Sequence, residues 1–262
     1  ILVFVSIVLL IILILLLVSQ KRKKESFKEH VLKEPMDIRN IKILVINMKD
    51  SVDRREHIKK ILKGFNYEFI SAVNGRKLNN FDVITQHSLR PLTRGEVGCF
   101  LSHKKVYQKI VNSNESHCLV LEDDINLCVN FVSEINKCLS QIHYFDIFYC
   151  FKTNPYRFYN QIGKDVKDYF PEKWDPKRPL ALDQDYSNDC ILASGPRLCT
   201  HAMIVSKKAA QQLLTNMPFI QCPIDVQTHF KNVKKGLKIY ASKKDLVYQL
   251  RGEFKSTVQI KK

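Results

Sequence analysis

The chain has 262 residues, with 42 Lys and Arg against 26 Asp and Glu, a formal net charge of +16. Its 45% hydrophobic content, with 8 Gly and 9 Pro, excludes a collagen-like, disordered or low-complexity chain, and the length allows one good-sized domain or two small ones. The basic excess predicts an anionic partner: nucleic acid, a phospholipid surface or a phosphorylated substrate.

Ile1 to Val18 is apolar apart from Ser6, and the cluster Lys21-Arg22-Lys23-Lys24 follows it. At a rise of 1.5 Å per residue such a run is close to the roughly 30 Å of a bilayer hydrocarbon core. A cleaved signal peptide has a shorter apolar core and its basic stretch before it. The pattern predicts a transmembrane anchor over 1–19 and a juxtamembrane linker over 20–40, in a single-pass membrane protein. Lys and Arg favour the cytoplasmic side. Charges on the other flank enter the same comparison, so the cytoplasmic face and the secretory-pathway lumen both stay open.

From residue 41 strand and helix signals alternate. Ile41 to Ile46 reads as a buried strand, 53–62 as a helix, and Tyr67 to Ala72 as a strand ended by the turn dipeptide Asn74-Gly75. Helix 94–111 precedes strand 118–121; helix 131–142, strands 145–150 and 201–206, helices 207–215 and 224–234 and strand 237–241 follow. This rhythm predicts an α/β domain over 41–262 with a largely parallel sheet. Residues 152–198 break it and hold five of the nine prolines. The eight cysteines contain no C-x-x-C pair and read as small buried hydrophobes.

Ligands of open α/β sheets sit at the carboxyl ends of strands. Three strand ends have unusual polar residues. After the first, Asp53 and Glu56 fit a helix capping box, while Arg54 and Arg55 place two cations in a first helical turn, against the macrodipole. Either an anionic ligand such as a diphosphate meets them there, or both point into solvent. After strand 118–121 comes Glu122-Asp123-Asp124. Strand alternation puts Glu122 and Asp124 on one face and Asp123 on the other, and two carboxylates on one face suit Mg²⁺ or Mn²⁺. Between them, Thr93 and Glu96 form a T-x-x-E capping box. Glu96, Cys99 and His103 fall within about 60° on a helical wheel. His103 is then a hydrogen-bonding site residue or a core histidine; a zinc stripe lacks a fourth ligand.

These pieces resemble glycosyltransferase family 25, the lipooligosaccharide and procollagen galactosyltransferase-like enzymes. The matching segments are Ile43 to Asn47 with Asp53-Arg54-Arg55, Ser71 to Gly75, Gly95-Glu96-Val97-Gly98-Cys99-Phe100-Leu101-Ser102-His103, Leu119 to Asp124, Thr200 to Ser206 with Ala209, and Pro223-Ile224-Asp225. Two positions depart from the family pattern: Asn74 replaces the usual Asp before Gly75, and Thr257 follows Ser256 where many members have Asp.

The resemblance implies a GT-A type, Rossmann-like domain. It implies a metal-dependent inverting transferase, with Mn²⁺ or Mg²⁺, that moves a galactose or glucose from a UDP-sugar to a hydroxyl of a glycan, a lipid-linked glycan or a protein, as in lipopolysaccharide biosynthesis. By the same resemblance Glu122 and Asp124 hold the metal. Asn47, Arg54, Arg55, Asn74, Gly75 and His103 line the nucleotide-sugar pocket, and Asp225 is the general base, although a position at a helix start also suits it as an N-cap. The implied partners are a nucleotide-sugar donor, a glycan or protein acceptor and a membrane through the N-terminal helix, with no nucleic acid. The acidic triplet and the positive charge also suit a metal-dependent nuclease or phosphodiesterase, and a non-catalytic binding module is a third reading.

Overall fold

The computed structural model describes residues 35–152, 184–185, 191–193, 197, 199–250 and 253–254. The apolar run expected to cross a membrane, the linker up to residue 34, most of the 152–198 insertion and Ser256-Thr257 lie outside the described residues. Among the described residues no helix is long and apolar enough to cross a membrane.

One compact unit begins at Pro35, within the stretch read as linker. Ile38 is fully buried, and Asp37 caps the short 3-10 turn Ile38–Asn40 by accepting from the Arg39 N–H at 2.9 Å. Asn136 clamps this turn, accepting from the Ile38 N–H at 2.9 Å and donating to Asp37 at 2.8 Å.

Strand β1 (Lys42–Asn47) is apolar almost throughout because both of its faces are covered. Helix α1 (Val52–Ile61) leads to β2 (Tyr67–Ser71), parallel to β1, with Val45 opposite Phe69. A short helix α2 (Phe81–Thr85) and the long α3 (Arg94–Val111) precede β3 (His117–Glu122). β3 lies parallel on the other side of β1, with Ile46 opposite Glu122. Next come β4 (Ile125–Leu127), α4 (Phe131–Leu139) and β5 (Ile147–Tyr149). The remaining elements are β6 (Gln184–Asp185), β7 (Ile191–Ala193), β8 (Ala202–Ser206), α5 (Lys207–Asn216), α6 (Ile224–Gln227), β9 (Ile239–Ser242) and β10 (Val247–Gln249).

The sheet order is β2-β1-β3-β8-β5-β9-β7-β6, and β10 pairs with β4 in a small separate sheet. The expected parallel pairing holds around β1 and between β5 and β9, within a mixed sheet. β1 is parallel to β2 and β3, and β5 to β9, whereas β8 is antiparallel to both β3 and β5, β7 to β9 and β6 to β7. An apolar run such as Ala202 to Val205 signals burial in either direction, so its pattern holds no information about orientation. The expected helix 224–234 also shortens to four residues. Beyond it, backbone bonds step back three residues, from His229 to Val226 and from Phe230 to Gln227, while the Thr228 hydroxyl bonds the Ile224 carbonyl at 2.7 Å.

α3 starts where its capping box predicts, with Thr93 accepting from the Glu96 N–H at 3.1 Å and Glu96 accepting from the Thr93 N–H at 2.7 Å. Its first turns press against the loop after β2. A side chain at Gly75 would overlap the Arg94 carbonyl, and a Cβ at Gly98 would lie 2.7 Å from the Val73 carbonyl and 2.8 Å from the Gly75 nitrogen. Ser102 locks the same contact, accepting from the Val73 N–H at 2.8 Å and donating to the Gly98 carbonyl at 2.6 Å. Since the obstacles are backbone atoms, Gly98→Ala is expected to lower stability by about 1–3 kcal/mol, read as a lower urea midpoint at unchanged slope.

Candidate functional site

Parallel pairing brings the carboxyl ends of β1 and β3 side by side, so the first turn of α1 faces the acidic triplet. Arg54, only 7% exposed, donates to Asp123 Oδ1 at 2.7 Å and lies 3.8 Å from Asp124 Oδ2. Asn47 donates to Asp123 Oδ2 at 2.8 Å. The anion that meets Arg54 is therefore Asp123, the member of the triplet expected to point away, and the charge opposing the helix dipole is balanced within the fold. Arg55 stacks on Phe69, with its guanidinium carbon 4.3 Å from the ring centroid. The predicted Asp53–Glu56 capping box does not form. Ser51 is the N-cap residue, and Glu56 instead accepts from Lys59 at 2.7 Å on the surface.

Asn74 and Gly75, expected in the nucleotide pocket, are engaged elsewhere. Asn74 caps the 3-10 turn Gly75–Lys77 by accepting from the Arg76 N–H at 3.0 Å, and buried Gly75 gives α3 room to approach.

Glu122 stands at the seam between β3 and β8, where its N–H donates to the His201 carbonyl at 2.9 Å. Its Oε1 accepts from the Thr200 hydroxyl at 3.0 Å and lies 3.4 Å from Nε2 of His103, which is fully buried. Cys99, one turn before His103, joins them; the three ligand atoms lie within 4.8 Å of one another. Glu96 does not share this stripe, because its carboxylate is held by the capping box and by Arg90 at 2.6 Å. Burial raises the Glu122 carboxyl, but the His103 hydrogen bond and the charges of His103 and His201 outweigh it and hold the group below its ordinary value.

Asp124 is tied to the small sheet. Gln249 bonds its carboxylate, and the Leu250 N–H donates to its carbonyl at 2.8 Å. Its Oδ1 is buried and has no hydrogen-bond partner among the described residues. Burial first, then the Glu122 charge, push this carboxyl up to about 6, against the opposing pull of Arg54. A buried acceptor with no donor beside a second carboxylate is a position that a hard divalent cation suits.

Asp225 lies in the first turn of α6, whose N-cap residue is Pro223, so the N-cap reading of Asp225 fails. One carboxylate oxygen accepts from the Val226 N–H at 3.0 Å, the other from the Cys199 N–H at 2.9 Å. Burial raises the group; the two N–H bonds oppose this, and the charges of Glu122 and Glu96 add to it. Cys199 has φ of 74°, a left-handed conformation that a side chain disfavours. Residues 197 and 199–201 thus join the site's parts. Arg197 N–H donates to His229 Nε2 at 2.9 Å, Cys199 holds Asp225, and Thr200 holds Glu122. Asp123, Cys199, Thr200 and Gln249 were not foreseen as site residues. Thr200 was visible only as part of a matching segment, since no local spacing links it to a carboxylate 78 positions away.

The family model described as glycosyltransferase family 25 (LPS biosynthesis protein) matches residues 40–228. A putative glycosyltransferase, R655, of Acanthamoeba polyphaga mimivirus is 41% identical over 111 residues, 39% of this chain and 34% of that protein. Procollagen galactosyltransferase 2 of Homo sapiens is 28% identical over 197 residues, 68% of this chain and 28% of that protein. A glycosyltransferase 25 family member of Aedes aegypti is 27% identical over 220 residues, 77% of this chain and 33% of that protein. The chain spans about a third or less of the length of these curated relatives.

Removing the charge that faces Asp123 leaves a buried carboxylate without its cation. Arg54→Met is expected to cost about 3–5 kcal/mol, and Arg54→Met with Asp123→Asn to recover part of that loss. Urea denaturation of both single variants and the double variant measures the coupling; additive losses would contradict the pairing.

Proposed function

Because the chain belongs to glycosyltransferase family 25, we propose that it is a glycosyltransferase that moves a hexose, galactose or glucose, from a UDP-sugar to an acceptor hydroxyl with inversion. The acceptor class is a glycan, a lipid-linked glycan or a protein. The observation behind this reading is that adjacent residues, Cys199 and Thr200, hold Asp225 and Glu122, while Asp124, two positions on, has a buried Oδ1 that lacks a hydrogen-bond partner among the described residues. A GT-A type arrangement accords with the parallel β2-β1-β3 portion of the sheet and with an acidic triplet at the end of β3. The single-pass membrane placement rests on the apolar run of residues 1–18 alone.

Glu122 and Asp124 are the residues that would hold Mn²⁺ or Mg²⁺. When bound, the cation supplies positive charge for the departing diphosphate. Asp123 does not belong to that ligand pair; together with Arg54 and Asn47 it fixes the course of the turn that presents Asp124. Asp225 takes the proton of the acceptor hydroxyl as that oxygen attacks the anomeric carbon from the face opposite the diphosphate. Its raised affinity for protons suits a base, and the Cys199 and Val226 N–H groups stop the carboxylate rotating away.

The deciding experiment is a screen of nucleotide sugars for hydrolysis and transfer with and without Mn²⁺. UDP-galactose or UDP-glucose turnover that requires the metal is expected; indifference to Mn²⁺ would overturn the metal assignment. Asp124→Ala should abolish turnover with the circular dichroism spectrum retained. Asp225→Asn should lower kcat by about 10²–10⁴-fold with little change in KM for the donor, because the residue acts on the acceptor.

A further inference from the structure

Next to the carboxylate pair stands a donor set of different chemistry, and we infer that Cys99, His103 and Glu122 form a thiophilic cation site of the Zn²⁺ class that shares Glu122 with the site above. Cys99 and His103 stand four residues apart on α3 and so present their side chains on one face. Glu122 reaches them from the end of β3, and the sulfur, nitrogen and oxygen atoms lie within 4.8 Å of one another. A tetrahedral Zn²⁺ bound by these three residues, with a water as its fourth ligand, separates the protein ligands by roughly 3.3–3.6 Å, so small side-chain rotations close the set.

The His103 Nε2 to Glu122 Oε1 distance of 3.4 Å already has this value. That separation is long for a charge-assisted hydrogen bond, which settles at about 2.7–2.9 Å, and it fits an edge between two ligands of one ion. The set is also held in place. His103 is fully buried, and the Thr200 hydroxyl fixes Glu122 Oε1 at 3.0 Å, as an outer partner orients a ligating carboxylate. Burial first, and then the charges of Glu122, Asp225 and Asp124, push the Cys99 thiol well above its ordinary value, while the same negative charge attracts a cation to the sulfur. Sulfur and imidazole select Zn²⁺ or Co²⁺, whereas Mn²⁺ and Mg²⁺ prefer the oxygen-only pair of Glu122 and Asp124.

The consequence for catalysis rests on the glycosyltransferase reading. Both sites draw on the one Glu122 carboxylate, so Zn²⁺ held with Cys99 and His103 is expected to weaken Mn²⁺ binding at Asp124 and to lower transfer. The site itself is tested without that reading, by titrating the full chain with Co²⁺ as an optical stand-in. A thiolate-to-Co²⁺ absorption band in the near ultraviolet, displaced by Zn²⁺, is expected, because Co²⁺ held by carboxylates alone gives no such band. Cys99→Ser should lose the band, Glu122→Gln should weaken Co²⁺ binding by tenfold or more, and Asp124→Asn and the control Cys138→Ser should keep it. Retention of the band in Cys99→Ser, or no band in the unmodified chain, overturns the site. Should Cys99→Ser fail to fold, the Glu122→Gln titration decides, and unchanged affinity there is equally fatal. Absence of transfer by the unmodified chain supplied with Mn²⁺ alone, with the Co²⁺ band present in the separate titration, would count against the transfer reading and leave the cation site standing.

Discussion

At the carboxyl edge of the sheet, Asp123 receives one hydrogen bond from Asn47 and one from Arg54, and the parallel alignment of β1 with β3 is what lets all three residues meet. The contact is nearly dry. An Arg placed there alone would oppose the helix dipole, and an Asp placed there alone would lose its hydration; together they offset both costs. The geometric result matters more than the net energy. With Asp123 held inward, the chain turns so that Glu122 remains at the β8 seam and Asp124 emerges beside it. The order Glu-Asp-Asp thus divides its work between two residues facing the site and one that anchors the turn.

A second constraint comes from residues 197 and 199–201, which precede β8; because β8 is antiparallel to β3, its start lies beside the carboxyl end of β3. The three attachments of these residues, to His229, Asp225 and Glu122, pass through Cys199 in a left-handed conformation that costs of order 1–3 kcal/mol. This strained residue supplies the N–H that Asp225 accepts, and the next supplies the hydroxyl that Glu122 accepts. The proposed base and the proposed metal ligand are therefore held by two adjacent residues, Cys199 and Thr200.

Local pattern made much of this legible. The strands and helices near the site follow the apolar periodicity closely: helix 94–111 has its predicted bounds and capping box, and the carboxylates lie at the end of a buried strand. What stayed hidden depends on contacts distant in sequence. The sequence of α1 does not reveal that Arg54 meets Asp123, 69 residues later, or that Arg55 stacks on Phe69. The wheel of α3 grouped Cys99 and His103 with Glu96, but the capping box removes Glu96 and β3 supplies Glu122 in its place. The direction of β8 is equally absent from its composition, and with it the arrival of Thr200. Gly75 carries a family-like identity whose visible work is to let a loop lie against α3, and Asn74, a departure from that pattern, caps the turn that follows it.

The account stands on the claim that the carboxylate edge binds a divalent cation together with a nucleotide diphosphate. Its most direct test follows the free-Mn²⁺ electron paramagnetic resonance signal as the full chain is added, with and without UDP. The account predicts saturable loss of the signal, tighter binding when UDP is present, and no such loss with Asp124→Ala. Identical titrations for the unmodified chain and Asp124→Ala would contradict it.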